Sequence, residues 1–165
     1  MNQPNYQKLL SNLGKGDYLF IQFGHNDNPG LDSYATKETA GSFKYYLYTG
    51  YVKLALDRGA QPILVTPTCK LQFKDGVCRD VHGHYDDAVR ELAEELGCPM
   101  VDLNQKGRDY YTKIGETAAG QYHYDGTHFN PAGAYLMAQF VAEGVTELNI
   151  KLNPYVKTDL LLKEN

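Results

Sequence analysis

Apolar residues along this chain occur either in short unbroken runs or at helical spacing in longer stretches. The runs at residues 18–23, 62–65 and 100–103 have the length and continuity of parallel strands that are covered on both faces. The stretches between and after them carry apolar residues three or four positions apart, which is typical of amphipathic helices. Because strands and helices alternate, the pattern predicts a parallel sheet with helices on both faces.

Five stretches of the sequence are predicted to be helical: residues 3–13, 36–58, 85–96, 107–119 and 134–148. Phe43, Leu47, Gly50 and Leu54 are expected to form the buried stripe of the second of these helices. An Asp-Gly turn within residues 70–81 indicates a loop or small hairpin. We expect one domain over residues 1–152 and a C-terminal tail over residues 153–165.

Two polar segments lie where ligands usually bind in a parallel α/β sheet. Gly24-His25-Asn26-Asp27 directly follows the first strand, and ligands bind beyond the carboxyl ends of such strands. Asp125-Gly126-Thr127-His128 precedes the last helix, for which Asn130 is a good N-cap and Pro131 a good first residue. A carboxylate three residues from an imidazole suits a general base whose second ring nitrogen is held by an acid, although many such pairs only stabilise a turn.

Charge and composition narrow the classes of partner. A net charge of −4 and a pI near 5.7, with no basic stripe, argue against binding to nucleic acid. No apolar run is long enough to span a bilayer, so we expect no membrane partner. No signal peptide opens the sequence, which predicts a cytoplasmic protein as written, although a longer natural form could be secreted.

The cysteines are interpreted as free or buried thiols, with a bridge between Cys69 and Cys78 left open.

The ordered set of motifs resembles the SGNH (GDSL-type) hydrolases, and within them the rhamnogalacturonan acetylesterase group. The segments that carry this resemblance are Gly16-Asp17-Tyr18 to Asp27, Val65-Thr66-Pro67, His82-Gly83, Asp102-Leu103-Asn104 and Asp125 to Asn130. The resemblance covers residues 6–150 and implies a three-layer α/β/α flavodoxin-like fold. It also implies a carbohydrate esterase that removes acetyl groups from a polysaccharide or oligosaccharide, without a metal or other cofactor.

Site residues follow from the resemblance position by position. His128 is expected to be the general base, Asp125 its orienting acid, and Asn26 a donor to the oxyanion that forms in ester hydrolysis. Gly24, His25 and His82 are expected to contribute to substrate binding, although His25 can instead brace its loop and His82 can instead be a surface histidine.

One part of the family pattern is missing from this sequence. The nucleophile of these hydrolases is a serine in a Gly-Asp-Ser block after the first strand, and Ser11, Ser33 and Ser42 are the only serines here. We therefore expect an N-terminally incomplete domain that lacks its first strands and whose isolated activity is doubtful. The strand from Tyr18 to Phe23 would then be an exposed edge, which predicts a homodimer or larger oligomer formed through it.

Two other functions remain open at this stage. The chain could be a catalytically inactive SGNH-like protein that binds carbohydrate or another partner. It could also be a metallohydrolase that uses His82, His84, His123 and His128, but their spacing does not match common zinc sites, so we predict no metal site.

Overall fold

The computed structural model describes residues 4–27 and 40–157, and these fold as alternating strands and helices. In chain order the elements are α1 (Pro4–Asn12), β1 (Tyr18–Gln22), α2 (Phe43–Leu47), a π-helical turn (Tyr48–Val52), α3 (Lys53–Asp57), β2 (Gln61–Val65), β3 (Phe73–Lys74), β4 (Val77–Cys78), α4 (His84–Leu96), β5 (Met100–Val101), α5 (Leu103–Ile114), α6 (Glu116–Gly120), α7 (Pro131–Glu147) and a 3₁₀ turn (Asn153–Tyr155).

The three predicted apolar runs form one parallel sheet, in the order β1-β2-β5. Tyr18 pairs with Gln61 and Gln22 with Val65, so β1 and β2 are in register over their full length. The predicted strand end at Leu103 is wrong. Leu103 begins α5 instead, because the Asp102 side chain accepts a hydrogen bond from the backbone N–H of Gln105 and caps that helix.

Apolar side chains bury both faces of β2. In β1, which was predicted to be covered on both faces, Ile21 is buried but Phe20 is 42 % exposed, so the other face is partly open. Ile63 and Val65 of β2 point into one core cluster, together with residues of α5 and α7. Leu64 points the opposite way and joins a second cluster with residues of α2 and α4. Since successive strand residues face opposite sides, this division places helices on both faces and confirms the predicted three-layer α/β/α fold.

The second predicted helix contains a π-helical turn that the sequence pattern did not reveal. Phe43, Leu47 and Gly50 are buried as expected, but Leu54 is only half-buried, and Val52 and Ala55 take the buried positions. A π turn inserts an extra residue and shifts the helix face that follows it. The first predicted residues of this helix, 36–39, lie outside the described residues.

The remaining segments are a short hairpin after β2 and the residues that follow α7. The predicted hairpin is confirmed as β3 and β4, with Asp75 and Gly76 at positive φ in its turn. Cys69 and Cys78 are both buried free thiols, so the two residues form no bridge. Of the predicted tail, Val156 packs against the core cluster that contains residues of α5 and α7, as does Leu152 just before the tail. No helix in the described part of the chain combines the length and apolar character needed to cross a membrane.

Candidate active site

The loop that follows β1 is held against the loop that follows β2. Gln22 Nε2 donates to the carbonyl oxygen of Thr66 at 3.2 Å, and His25 Nδ1 lies 3.2 Å from the carbonyl oxygen of Thr68. Gly24 has φ +107°, and a Cβ at this position would lie 2.9 Å from Pro67 Cγ. Only glycine fits this backbone and this contact. The Gly24–Asp27 segment is therefore a tight turn whose position depends on the neighbouring strand.

The segment ahead of α7 brings Asp125 and His128 together. His128 Nδ1 lies 2.8 Å from Asp125 Oδ2, while Asp125 Oδ1 accepts the backbone N–H groups of Thr127 and His128 at 2.7 Å each. These hydrogen bonds hold the pKa of Asp125 well below its usual range, so it is a carboxylate at neutral pH. The imidazole is thereby oriented through Nδ1, and its Nε2 remains available for proton transfer.

Helix α7 anchors this segment as the sequence predicted. Asn130 Oδ1 accepts the backbone N–H of Gly133 at 3.0 Å, and Asn130 Nδ2 donates to the carbonyl oxygen of Gln121 at 2.7 Å. Pro131 occupies the first helical turn. The side chain of Asn130, two residues after His128, thus links the start of α7 to the residue that ends α6.

The two predicted polar segments lie at the same end of the sheet. The backbone N–H of Leu71, in the loop after β2, donates to the carbonyl oxygen of Gly126 at 2.9 Å. His25, in the loop after β1, lies 3.2 Å from the carbonyl oxygen of Thr68 in that same loop after β2. Burial, followed by the charges of His82 and Lys70, lowers the pKa of His25. Asn26 is exposed beside His25. The fold therefore brings the loop of Asn26 and the loop of His128 to one face.

His82 does not occupy the position expected of a cleft or surface residue. Its side chain is 2 % exposed, with Nε2 3.3 Å from His25 Nδ1 and Nδ1 3.2 Å from Asn104 Nδ2. Asp86, one turn further along α4, is fully buried, and burial raises the pKa of its carboxyl group to about 6. A role for His82 in substrate binding would thus be indirect, through the His25 ring.

A polar network behind the strand ends was not anticipated from the sequence. Thr66 Oγ1 donates to Asp102 Oδ1 at 3.0 Å and accepts the backbone N–H of Asn104 at 2.9 Å. Arg90 of α4 donates from Nε to Asp102 Oδ2 at 2.8 Å. Thr66, Asp102 and Asn104 lie in segments that carry the family resemblance, but the resemblance gave them no role.

The described serines have other roles. Ser11 Oγ donates to the carbonyl oxygen of Lys8 within α1, and Ser42 Oγ accepts the backbone N–H of Tyr45 as the cap of α2. Ser33 lies outside the described residues. The geometry therefore supplies a base with its orienting acid, while Ser11 and Ser42 bond within α1 and at the start of α2.

Comparison with known proteins now decides the family. The sequence matches the model of the GDSL-like lipase/acylhydrolase family over residues 3–136. The chain belongs to this family. It is 32 % identical to the probable rhamnogalacturonan acetylesterase YesY of Bacillus subtilis (strain 168), over 99 % of this chain and 76 % of that protein. It is also 32 % identical to the rhamnogalacturonan acetylesterase RhgT of the same organism, over 94 % of this chain and 72 % of that protein.

A solved structure supports the fold of this GDSL-like protein. The crystal structure of the Bacillus subtilis protein YxiM superposes with a TM-score of 0.78 at 28 % identity, covering 91 % of this chain and 42 % of the other. The sheet with helices on both faces is accordingly an SGNH hydrolase fold, and the recognised resemblance to rhamnogalacturonan acetylesterases is confirmed.

Proposed function

We propose that this protein is a carbohydrate esterase that removes acetyl groups from a polysaccharide or oligosaccharide, as its rhamnogalacturonan acetylesterase relatives are named to do. The observation that carries the proposal is the Asp125–His128 pair, joined at 2.8 Å on the same face as the loop of Asn26. An imidazole oriented by a carboxylate, beside an exposed amide donor, is the arrangement that ester hydrolysis requires.

Each proposed catalytic residue has a defined task. His128 Nε2 accepts the proton of the attacking hydroxyl group and returns it to the sugar oxygen that leaves, while Asp125 holds Nδ1 and stabilises the imidazolium. Asn26 donates its side-chain amide to the oxyanion, a contribution of about 3–4 kcal/mol to the transition state in comparable sites. Gly24 and His25 shape the wall of the substrate pocket on the same loop.

The source of the attacking hydroxyl group determines how fast this chain can hydrolyse an ester. No Gly-Asp-Ser block is present in the sequence, so water activated by His128 is the nucleophile that the described residues can provide. Removing the serine of a triad enzyme leaves a residual acceleration of about 10³–10⁴ over water. We therefore expect slow hydrolysis by this chain.

The test is acetate release from acetylated rhamnogalacturonan oligosaccharides, with 4-nitrophenyl acetate as a second substrate. His128→Ala and Asn26→Ala are each expected to lower the rate at least tenfold. His84→Ala is the matched control, because His84 also faces an aspartate three residues away, at 3.0 Å from Asp87 on the surface. A rate that His128→Ala leaves unchanged would contradict the proposal.

The alternative is a catalytically inactive protein of the same fold that binds carbohydrate, and the absence of a Gly-Asp-Ser block favours it. An added N-terminal segment with an apolar strand and a Gly-Asp-Ser turn separates the two. If the proposed residues are catalytic, this extended protein gains activity that His128→Ala removes. Binding of the oligosaccharide without turnover in either form would support the alternative.

We also propose that two copies associate through strand β1. Among the described residues β1 pairs with β2 alone, and Phe20 and Phe23 are 42 % and 44 % exposed beside its free edge. Next to Phe20, the apolar face of α7 lines a groove of about 340 Å³. An unpaired apolar edge is a template for pairing with a second strand. Light scattering should give the mass of a dimer for the wild type and that of a monomer for Phe20→Lys. A monodisperse monomer for the wild type would refute this association.

A further inference from the structure

The start of helix α4 contains a cluster of metal-ligating atoms that the proposed esterase mechanism does not use. One ligand atom from each of Asp80, His82 and Asp86 lies within 4.8 Å of the other two. We propose that these three side chains bind one divalent cation, and that Zn²⁺ is the ion they fit best. The cluster lies behind the turn of Gly24 and is separate from the Asp125–His128 pair.

The observation that points to a ligand is a buried carboxylate that has no hydrogen bond and only a 3.5 Å contact with His82 Nδ1. Asp86 is fully buried, and neither of its oxygens has a hydrogen-bond partner in the described structure. Asn104 is also fully buried, and its Oδ1 is likewise unpartnered. Buried polar atoms are almost always satisfied, and an uncompensated buried carboxylate is especially costly. A cation bound at the Asp86 carboxylate would compensate its charge.

The separation of His82 from Asp86 fits neighbouring ligands of a tetrahedral ion. His82 Nδ1 lies 3.5 Å from Asp86 Oδ2 and 3.2 Å from the Asn104 amide. Zinc bonds to nitrogen and oxygen of about 2.0–2.2 Å separate neighbouring tetrahedral ligands by about 3.3–3.6 Å. Rotating the Asn104 amide by a half-turn would present its oxygen to the same position. Asn104 could then complete a set of one imidazole, two carboxylates and one amide oxygen.

Charge and access are also compatible with an ion. Asp80 is partly exposed and offers a path from solvent. One of its carboxylate oxygens accepts the backbone N–H of His82 at 3.1 Å, and the other lies 3.5 Å from Arg108 Nη1. Carboxylate oxygens retain further lone pairs after such contacts. Two carboxylates balance the charge of a divalent ion.

The second ring nitrogen of His82 has a suitable partner as well. His82 Nε2 lies 3.3 Å from His25 Nδ1, and metal-bound histidines normally donate their other N–H to a neighbouring acceptor. With the ion at Nδ1, the proton of His82 must be on Nε2, and His25 Nδ1 then accepts it instead of donating to the carbonyl oxygen of Thr68. The ion would thus be structural and would brace the turn that precedes Asn26.

Calorimetric titration of the tag-free, chelator-treated chain with Zn²⁺ tests the site directly. We expect one site per chain, an increase in Tm on zinc binding, and visible absorption bands of tetrahedral Co²⁺ when cobalt replaces zinc. The near-isosteric Asp86→Asn and His82→Gln should each weaken zinc binding at least tenfold. Circular dichroism of each variant without metal establishes that the fold is retained.

His84→Gln and Asp87→Asn are the matched controls, because this exposed pair begins the same helix and could bind zinc weakly on the surface. They should leave the stoichiometry, the affinity and the cobalt bands unchanged. The proposal is overturned if no site saturates in the wild type, or if zinc binding survives Asp86→Asn and His82→Gln but is lost in the controls. Should either cluster variant unfold, Asp80→Asn at the exposed side must still weaken binding.

Discussion

Replacing Asn130 by alanine should destabilise the protein at the point where the proposed base meets helix α7. The substitution removes the N-cap bond from Gly133 and the side-chain bond to the carbonyl oxygen of Gln121. Losing such a cap costs about 1 kcal/mol. The second bond contributes at the lower end of the usual range, about 0.5 kcal/mol, because Gln121 is exposed and water can replace the donor.

The expected loss of about 1.5 kcal/mol corresponds to a decrease in Tm of roughly 3–6 °C for a chain of this size. Asn130→Ser should recover most of it, since serine caps a helix equally well but cannot reach Gln121. Urea unfolding followed by circular dichroism measures the free energy of unfolding of both variants. The slope of this free energy with urea concentration should be the same as in the wild type. Asn12→Ala is the control, because Asn12 bonds a carbonyl at the exposed end of α1. Differences between variants carry an error of about 0.3 kcal/mol. The account would be refuted by an Asn130→Ala variant as stable as the wild type within that error. It would also be refuted by an Asn130→Ser variant as unstable as Asn130→Ala.

Three further changes test the packing and the protonation of the fold. Gly24→Ala should cost about 1–3 kcal/mol in urea unfolding, because the new Cβ would contact Pro67 at positive φ. Gly144→Ala should be similarly destabilising, since its Cβ would lie 2.5 Å from Val101 Cγ1. Burial lowers the pKa of His123, so the native state binds fewer protons than the unfolded state below pH 6.5 and stability falls as the pH falls. His123→Gln should flatten this dependence in urea midpoints measured from about pH 7.5 to about pH 5.5.

The strands and the start of α7 were predictable because their signals are local. A buried parallel strand needs a continuous apolar run, and residues 18–23 and 62–65 provide one. Asn130 and Pro131 mark a helix start by their own chemistry, and Asp125 reaches His128 within a single turn. Half of the candidate site was therefore readable from consecutive residues.

The rest of the site depends on contacts that sequence spacing does not contain. His82 reaches His25 across 57 positions, and only the packing of α4 on the sheet brings the two rings together. His82 and Asp86 are four positions apart, but the sequence does not reveal that both side chains are buried. Likewise, the periodicity of apolar residues does not reveal the π-helical turn, after which Val52 and Ala55 are buried in place of Leu54.

This difference between local and distant contacts implies that the two halves of the site have unequal stability. The Asp125–His128 geometry is made within four residues and anchored on a 17-residue helix. The turn of Asn26 is held instead by partners 43 and 57 positions away, beside an edge strand. Local opening is easiest where few bonds link a loop to the core. Amide hydrogen exchange should therefore be faster at Asn26 and Asp27 than at Thr127 and His128. Equal protection of both segments would show that the sheet edge holds its loop as firmly as the helix does.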